Sequence, residues 1–440
     1  AMVQDASKMR TGQTCTGIEP RGPNFCKPYP CDAPTFRLEL HALDITNGAE
    51  RPNSPVTISA TAPGIGTGNV DGTLSLEPTL NLQRPALLLS RGSLYLGFGS
   101  YGNTGPHHGW ILRYDAASLA RESSFIVTPN TLGGSIWQSG HGIAADADGN
   151  VYVMSGNGNF DATRGGTDFG DSFLKLSPTL ELTDWFTPDL ADADGNDYLA
   201  QDDQDLGSSG PVVVPDSNTV IGGGKQGILY ILDRSALGHF ETDGGGSGQA
   251  FRATWRFIKT SCSDAIIESN IHGTPIYWNG PDGPTLYVWG EQDYLKAYAL
   301  ESGRVATSGL CFCTGKESFV PPGSPPNPSC GVPKAKSPDP ILGAMPGGIL
   351  SLSANGNARG SGIVWATHAS GRADPTHATV PGVLEAYDAS DVSKRLWDST
   401  QNEARDSIGS FAKFTPPTVA NGKVYLATSS RKLLVFGPLP

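Results

Sequence analysis

Apolar and polar residues alternate in short runs along the whole chain, and the runs come in pairs. The unit is an apolar strand, a glycine or polar turn, a second strand often ending in Tyr-Asp or Leu-Asp, and a small polar loop. Its copies begin near Ala1 (AMVQD, then LHALDITNG), Ser93 (SLYLGFGS, then WILRYDAAS), Asn150 (NVYVMSGNG, then SFLKLSPTLE), Thr219 (TVIGGGKQG, then ILYILDRS), Thr285 (TLYVWGEQ, then YLKAYALESG), Gly362 (GIVWATHA, then VLEAYDAS) and Lys423 (KVYLATSS, then KLLVFG). Alternation with period two is the signature of half-buried antiparallel strands. No segment holds the i, i+3, i+4 spacing of an amphipathic helix for three turns. The middle copies lie about 60 to 75 residues apart, longer than compact propeller repeats of about 40 to 50, so insertions must sit in the loops.

An all-β chain built from such units has an economical solution: four-stranded blades around an axis, each covering its neighbours. The expectation is one β-propeller domain over residues 1–440, with seven blades and long inter-blade loops at 189–210, 241–272 and 306–348. The alternative is an eight-bladed parent whose first blade is missing, because the first copy begins inside a strand.

Composition refines this picture. The 56 glycines and 34 prolines make about a fifth of the 440 residues, well above the usual combined share of about 12%, and they mean many tight turns. With 38% hydrophobic residues the chain can bury a large core. The net charge of −12 and the lack of a basic patch argue against nucleic acid or an anionic membrane as partner. No window approaches the roughly 18 uninterrupted apolar residues of a membrane span, and no leader pattern opens the chain, so a soluble protein is expected. Cys15, Cys26, Cys31, Cys262, Cys311, Cys313 and Cys330 sit in Pro- and Gly-rich stretches without C-x-x-C spacing. They read as disulfides, with one cysteine left over, in a periplasmic or extracellular protein.

Four segments carry a resemblance. GGSIWQS (Gly133 to Ser139), VYVMSGNGNFD (Val151 to Asp161), QDDQDLGSSGPVVV (Gln201 to Val214) and GGGKQGILYILDR (Gly222 to Arg234) occur in the order of similar segments in the pyrroloquinoline quinone (PQQ) dependent alcohol dehydrogenases, the quinoprotein propellers. The resemblance implies that Trp137 stacks beneath the quinone, that Asn157 is a calcium ligand, that Asp205 is the catalytic base and a ligand, and that Lys225 contacts the quinone oxygens. A planar tricarboxylate needs a flat platform, fixed cations and a hard divalent ion, which these residue types supply. Arg84, in LQRPALLL, is placed as a further cation near the ring centre, and Asp203 as a second carboxylate for Ca²⁺. The implied activity is oxidation of an alcohol or sugar hydroxyl, with electrons passing to an external acceptor.

The pattern also departs from the family. Counting back from Gly109, the position of the expected calcium-binding glutamate is Thr104, and the adjacent cysteine pair is absent. Two rival readings follow. One is a propeller that has lost its cofactor and binds a carbohydrate or a protein. The other is a copper or zinc protein using His107, His108, His141, His272 and His368, each next to a repeat strand. The acidic run from Asp189 to Asp205 is not an EF-hand, because its glycine falls at the fourth loop position, where the sixth is required. DADGN at Asp146 to Asn150 reads as a plain turn. No chemistry attaches to MPGGILSLSANG (Met345 to Gly356) or to Arg359.

Overall fold

In the computed structural model the described residues are 2–6 (backbone only), 36–188, 198–241, 248–254, 270–308, 329–343, 345–376 and 378–438. Much of the three expected loops therefore lies outside them, including Asp189, Asp192, Asp194 and Asp197.

Six of the seven repeat copies form the expected antiparallel strand pair, and in the first the partner of AMVQD is Phe36–Leu40, upstream of the expected LHALDITNG, which shares only Leu40 with it. The pairs are Met2–Ala6 with Phe36–Leu40, Ser93–Ser100 with Trp110–Asp115, Val151–Met154 with Phe173–Leu176, Thr219–Gly223 with Ile228–Asp233, Gly283–Val288 with Lys296–Glu301, Ile363–Ala369 with Gly382–Asp388, and Lys423–Thr428 with Lys432–Phe436. Among the described residues further strands extend the inner five pairs to sheets of four to six strands, while the sheets at the two ends of the chain have three strands each. Among the described residues the α-helices are two single turns, Tyr198–Gln201 and Glu403–Asp406. The chain is all-β in a six-blade propeller arrangement, and the expected seven blades are not confirmed.

The near-continuous apolar character of the strands follows from burial on both faces. Val151 and Val153 pack toward the preceding sheet, and Tyr152 and Met154 toward the following one. Leu229 and Ile231 face one neighbour, Ile228, Tyr230 and Leu232 the other. The same division separates Leu286 and Val288 from Tyr287 and Trp289. Period-two alternation thus sorts side chains between two cores instead of between core and water. Burial of such a side chain contributes about 1.5–3 kcal/mol, so these inter-sheet cores fix the order of the blades.

The terminal Asp of the second strand has a local role. Asp115 Oδ1 accepts from the Ser118 amide and hydroxyl, both at 2.7 Å, and Asp233 Oδ1 accepts from the Ser235 amide at 2.8 Å. Asp388 does the same for Ser390 at 2.8 Å. The recurring Tyr-Asp and Leu-Asp endings are therefore Asx turns that reverse the chain as each strand ends. DADGN is a turn as well: Asp146 Oδ1 accepts from the amides of Asp148 and Asn150 at 3.0 and 2.9 Å, and Oδ2 pairs with Arg234 at 3.3 Å. Arg359 forms an exposed pair with Asp282.

Candidate functional site around Asp205

Asp205 lies at the start of a 3-10 turn, Leu206–Ser208, and is 4% exposed. Three donors converge on its carboxylate. Trp137 Nε1 donates to Oδ1 at 3.1 Å, the Asn157 amide donates to Oδ1 at 2.8 Å, and Lys225 Nζ lies 2.6 Å from Oδ2. The same ammonium is 2.8 Å from Asp203 Oδ2, and Asn157 Nδ2 donates to Asp203 Oδ1 at 2.8 Å. Burial pulls the Lys225 ammonium toward neutrality, but Asp205 and Asp203 outweigh it and hold its pKa above the ordinary lysine value.

Glycines let these segments meet. A Cβ at Gly156 would stand 2.8 Å from two ring atoms of Trp137, and one at Gly224 would stand 2.5 Å from the Leu206 carbonyl oxygen. Both distances are inside hard contact, so the indole and the Asp205 turn lie directly on backbone that only glycine leaves bare. The Lys225 amide donates to the Asp205 carbonyl at 3.1 Å, which fixes the lysine beside its carboxylate. After Trp137 the backbone is strained: Gln138 and Ser139 have φ of +40° and +33°. Non-glycine residues take such values at an energetic cost, and they cluster at functional sites.

Arg84 completes the group. Its guanidinium lies over the Trp137 ring, 4.7 Å from the centroid, and over the Phe414 ring at 4.1 Å. It donates to the Trp137 carbonyl and to Ser139 Oγ, each at 3.3 Å. Burial lowers its pKa to about 10, with Asp205 opposing the change. Phe414, which reaches this cluster from the far end of the chain, carries no motif that singles it out in the sequence.

Beside the cluster opens a pocket of about 700 Å³, lined by Asn157 and Asp203 together with Asn103, His107, Asn159, Phe160, Arg164 and Gln201 among others. Burial depresses the His107 pKa. Thr104 is in the neighbouring turn, its amide donating to the Tyr101 carbonyl at 3.2 Å.

The histidines do not form a shared centre. His107 contacts the Gly105 carbonyl, His108 the carbonyls of Thr128 and Thr67, and His141 the carbonyl of Leu350. His272 faces Glu291 across 3.0 Å, and His368 faces Glu385 across 3.3 Å. Among the described residues no group of three or more His, Cys, Asp or Glu side chains is arranged to hold a metal ion.

The donor set suits a planar anion: an indole plane beside two cations, Arg84 and Lys225. It does not suit a hard divalent ion, which wants six to eight oxygen ligands. Lys225 already stands between Asp203 and Asp205, and both oxygens of Asp205 are engaged. Asn157 Oδ1 is the one oxygen of this trio that is buried without a hydrogen-bond partner.

No family model and no curated relative matches the chain. Among solved structures 46 chains match. One is a europium-containing methanol dehydrogenase, 12% identical over 91% of this chain and 80% of its own, with a TM-score of 0.42. Similarity that slight carries no argument, and the fold rests on the strands and cores described above.

Proposed function

We propose that the chain is a quinoprotein-like oxidoreductase of the periplasm or extracellular space, oxidising an alcohol or sugar hydroxyl and passing electrons to an external acceptor. The observation that carries this reading is the convergence of Trp137, Asn157 and Lys225 on the Asp205 carboxylate, with Asp203 bonded to the same asparagine and lysine and Arg84 over the Trp137 ring, five separate segments in all. Export is supported by Cys330, which is disulfide-bonded.

PQQ would be held by Trp137, Arg84 and Lys225, and when bound it supplies a two-electron acceptor for the hydride of the substrate carbon. Asp205 is the base that takes the hydroxyl proton. Lys225 supplies a fixed positive charge beside that carboxylate, and Trp137 and the Asn157 amide orient it by their hydrogen bonds. Arg84 must leave the face of Trp137 to admit a planar group, and its contact with Phe414 gives it a second seat. Ca²⁺ would have to displace Lys225 from both carboxylates, so no step runs through a metal.

A cofactor-free binding module is the second reading. It is favoured by the cluster's self-sufficiency, with Arg84 covering Trp137 and Lys225 bridging the two carboxylates. Dye-linked oxidation of an alcohol and sugar panel by protein incubated with PQQ separates the two. Turnover that Asp205→Asn abolishes supports the oxidoreductase; absence of turnover, with sugar binding retained, supports the module.

A further inference from the structure

Phe414 is the hub of a second polar group, which shares Arg84 with the Asp205 site. Lys413 Nζ lies 5.0 Å from its ring centroid and Arg84 lies 4.1 Å from it, while the His272 ring is 5.9 Å away. Neither cation forms an ion pair with a carboxylate among the described residues. Arg84 has its two long bonds to Trp137 and Ser139, and Lys413 Nζ has Met345 Sδ at 3.8 Å. His272 is 2% exposed, and its Nδ1 is buried without a hydrogen-bond partner.

Two half-buried cations near each other lose hydration and repel, and a buried imidazole nitrogen without a partner forgoes a hydrogen bond. Burial lowers the pKa of both cations and at Lys413 the charge of Arg84 lowers it further, with Asp205 opposing the change at Arg84 and Asp374 and Glu291 opposing it at Lys413. One bound monoanion would relieve all three costs. It would pair with Arg84 and Lys413, rest its body on Phe414, and present polar atoms to His272.

We propose that Arg84, Lys413, Phe414 and His272 form a binding site for the carboxylate of an organic ligand, of the hydroxy-acid or sugar-acid class. Arg84 borders both Trp137 and Phe414, so the site adjoins the proposed oxidoreductase centre and names a substrate class for it. Its own existence does not depend on that reading.

Isothermal titration of the full chain with D-gluconate against D-glucose, and with lactate against propane-1,2-diol, compares ligands that differ in the carboxylate. At least one acid should bind about tenfold or more tightly than its neutral counterpart, the ratio expected of a charge-assisted contact. Lys413→Met should erase most of that ratio and Lys413→Arg should restore it, with thermal melts confirming that both variants fold. Equal binding of acid and neutral partner in both pairs, or a ratio unchanged in folded Lys413→Met, overturns the proposal. Repeating the acid titration with PQQ present identifies the source of the carboxylate. Retained binding assigns it to a substrate, and competitive loss shows that the quinone's own carboxylates occupy the same cations. Because binding is the readout, absence of turnover counts against the oxidoreductase alone.

Discussion

Lys225 bonds two carboxylates of very different exposure, and the difference gives a quantitative test of the cluster. Its own side chain is 10% exposed, that of Asp205 6%, and that of Asp203 68%. Removing one partner of a buried ion pair costs about 3–5 kcal/mol, because the other charge is left in a medium of low polarity. Asp205 keeps two hydrogen bonds, from Trp137 Nε1 and the Asn157 amide, when Lys225 is lost. That softens the loss to about 2–3 kcal/mol of coupling between Lys225 and Asp205. The exposed Asp203 belongs to the class of surface pairs, with a coupling of about 0–1 kcal/mol. Urea denaturation of Lys225→Met, Asp205→Asn, Asp203→Asn and the two double variants measures both terms. Equal couplings, or a Lys225–Asp205 term below about 1 kcal/mol, would refute the claim that the ammonium is committed to Asp205 inside the fold.

Three further expectations concern other parts of the molecule. Burial would raise the pKa of Glu385, but His368, Tyr387 and Arg395 outweigh it and bring it from 4.5 to about 2. A lowered carboxyl stabilises the fold above the unfolded value and loses that contribution as pH falls from about 4.5 to about 2, by at most about 3 kcal/mol. Chemical denaturation across this range should show the slope, and Glu385→Gln should flatten it. Gly156→Ala pushes a methyl group against Trp137, so a loss of about 1–3 kcal/mol and a shifted tryptophan emission are expected; an unchanged spectrum and stability would mean that the indole does not lie on that backbone. Millimolar Ca²⁺ should leave the melting temperature of the unmodified protein unchanged, since Lys225 holds both carboxylates, and a clear upward shift would contradict the poor fit of this donor set to a metal.

Much of this was legible in the residues themselves. The strand pairs could be read because each strand carries a period-two division between two cores, as in Val151 to Met154, and because Asp115, Asp233 and Asp388 mark the turns. The members of the Asp205 cluster were legible only through the resemblance of four segments to the quinoprotein propellers, and the structure adds Gly156 and Gly224 as bare backbone at the points of close approach. The seat of Arg84 could not: it depends on Phe414, which no local pattern links to residue 84, and on a strained backbone after Trp137. Nor could the scattering of the histidines, since being next to a repeat strand fixes neither the blade edge a ring faces nor its partner. His272 and His368 each found a glutamate, Glu291 and Glu385, in place of a common metal. Blade number escaped for a related reason, as a repeated strand pair says nothing about how many outer strands complete each sheet. The two end sheets have three.

The proposed oxidoreductase depends on the Asp205 cluster being a seat for a planar quinone. A titration of the purified chain with PQQ, followed by visible absorbance and by tryptophan fluorescence, tests it most directly. Saturable one-to-one binding, with quenching that Trp137→Ala removes and Lys225→Met weakens at least about tenfold, is the predicted result. No saturable change, or equal binding by folded Trp137→Ala, would contradict it.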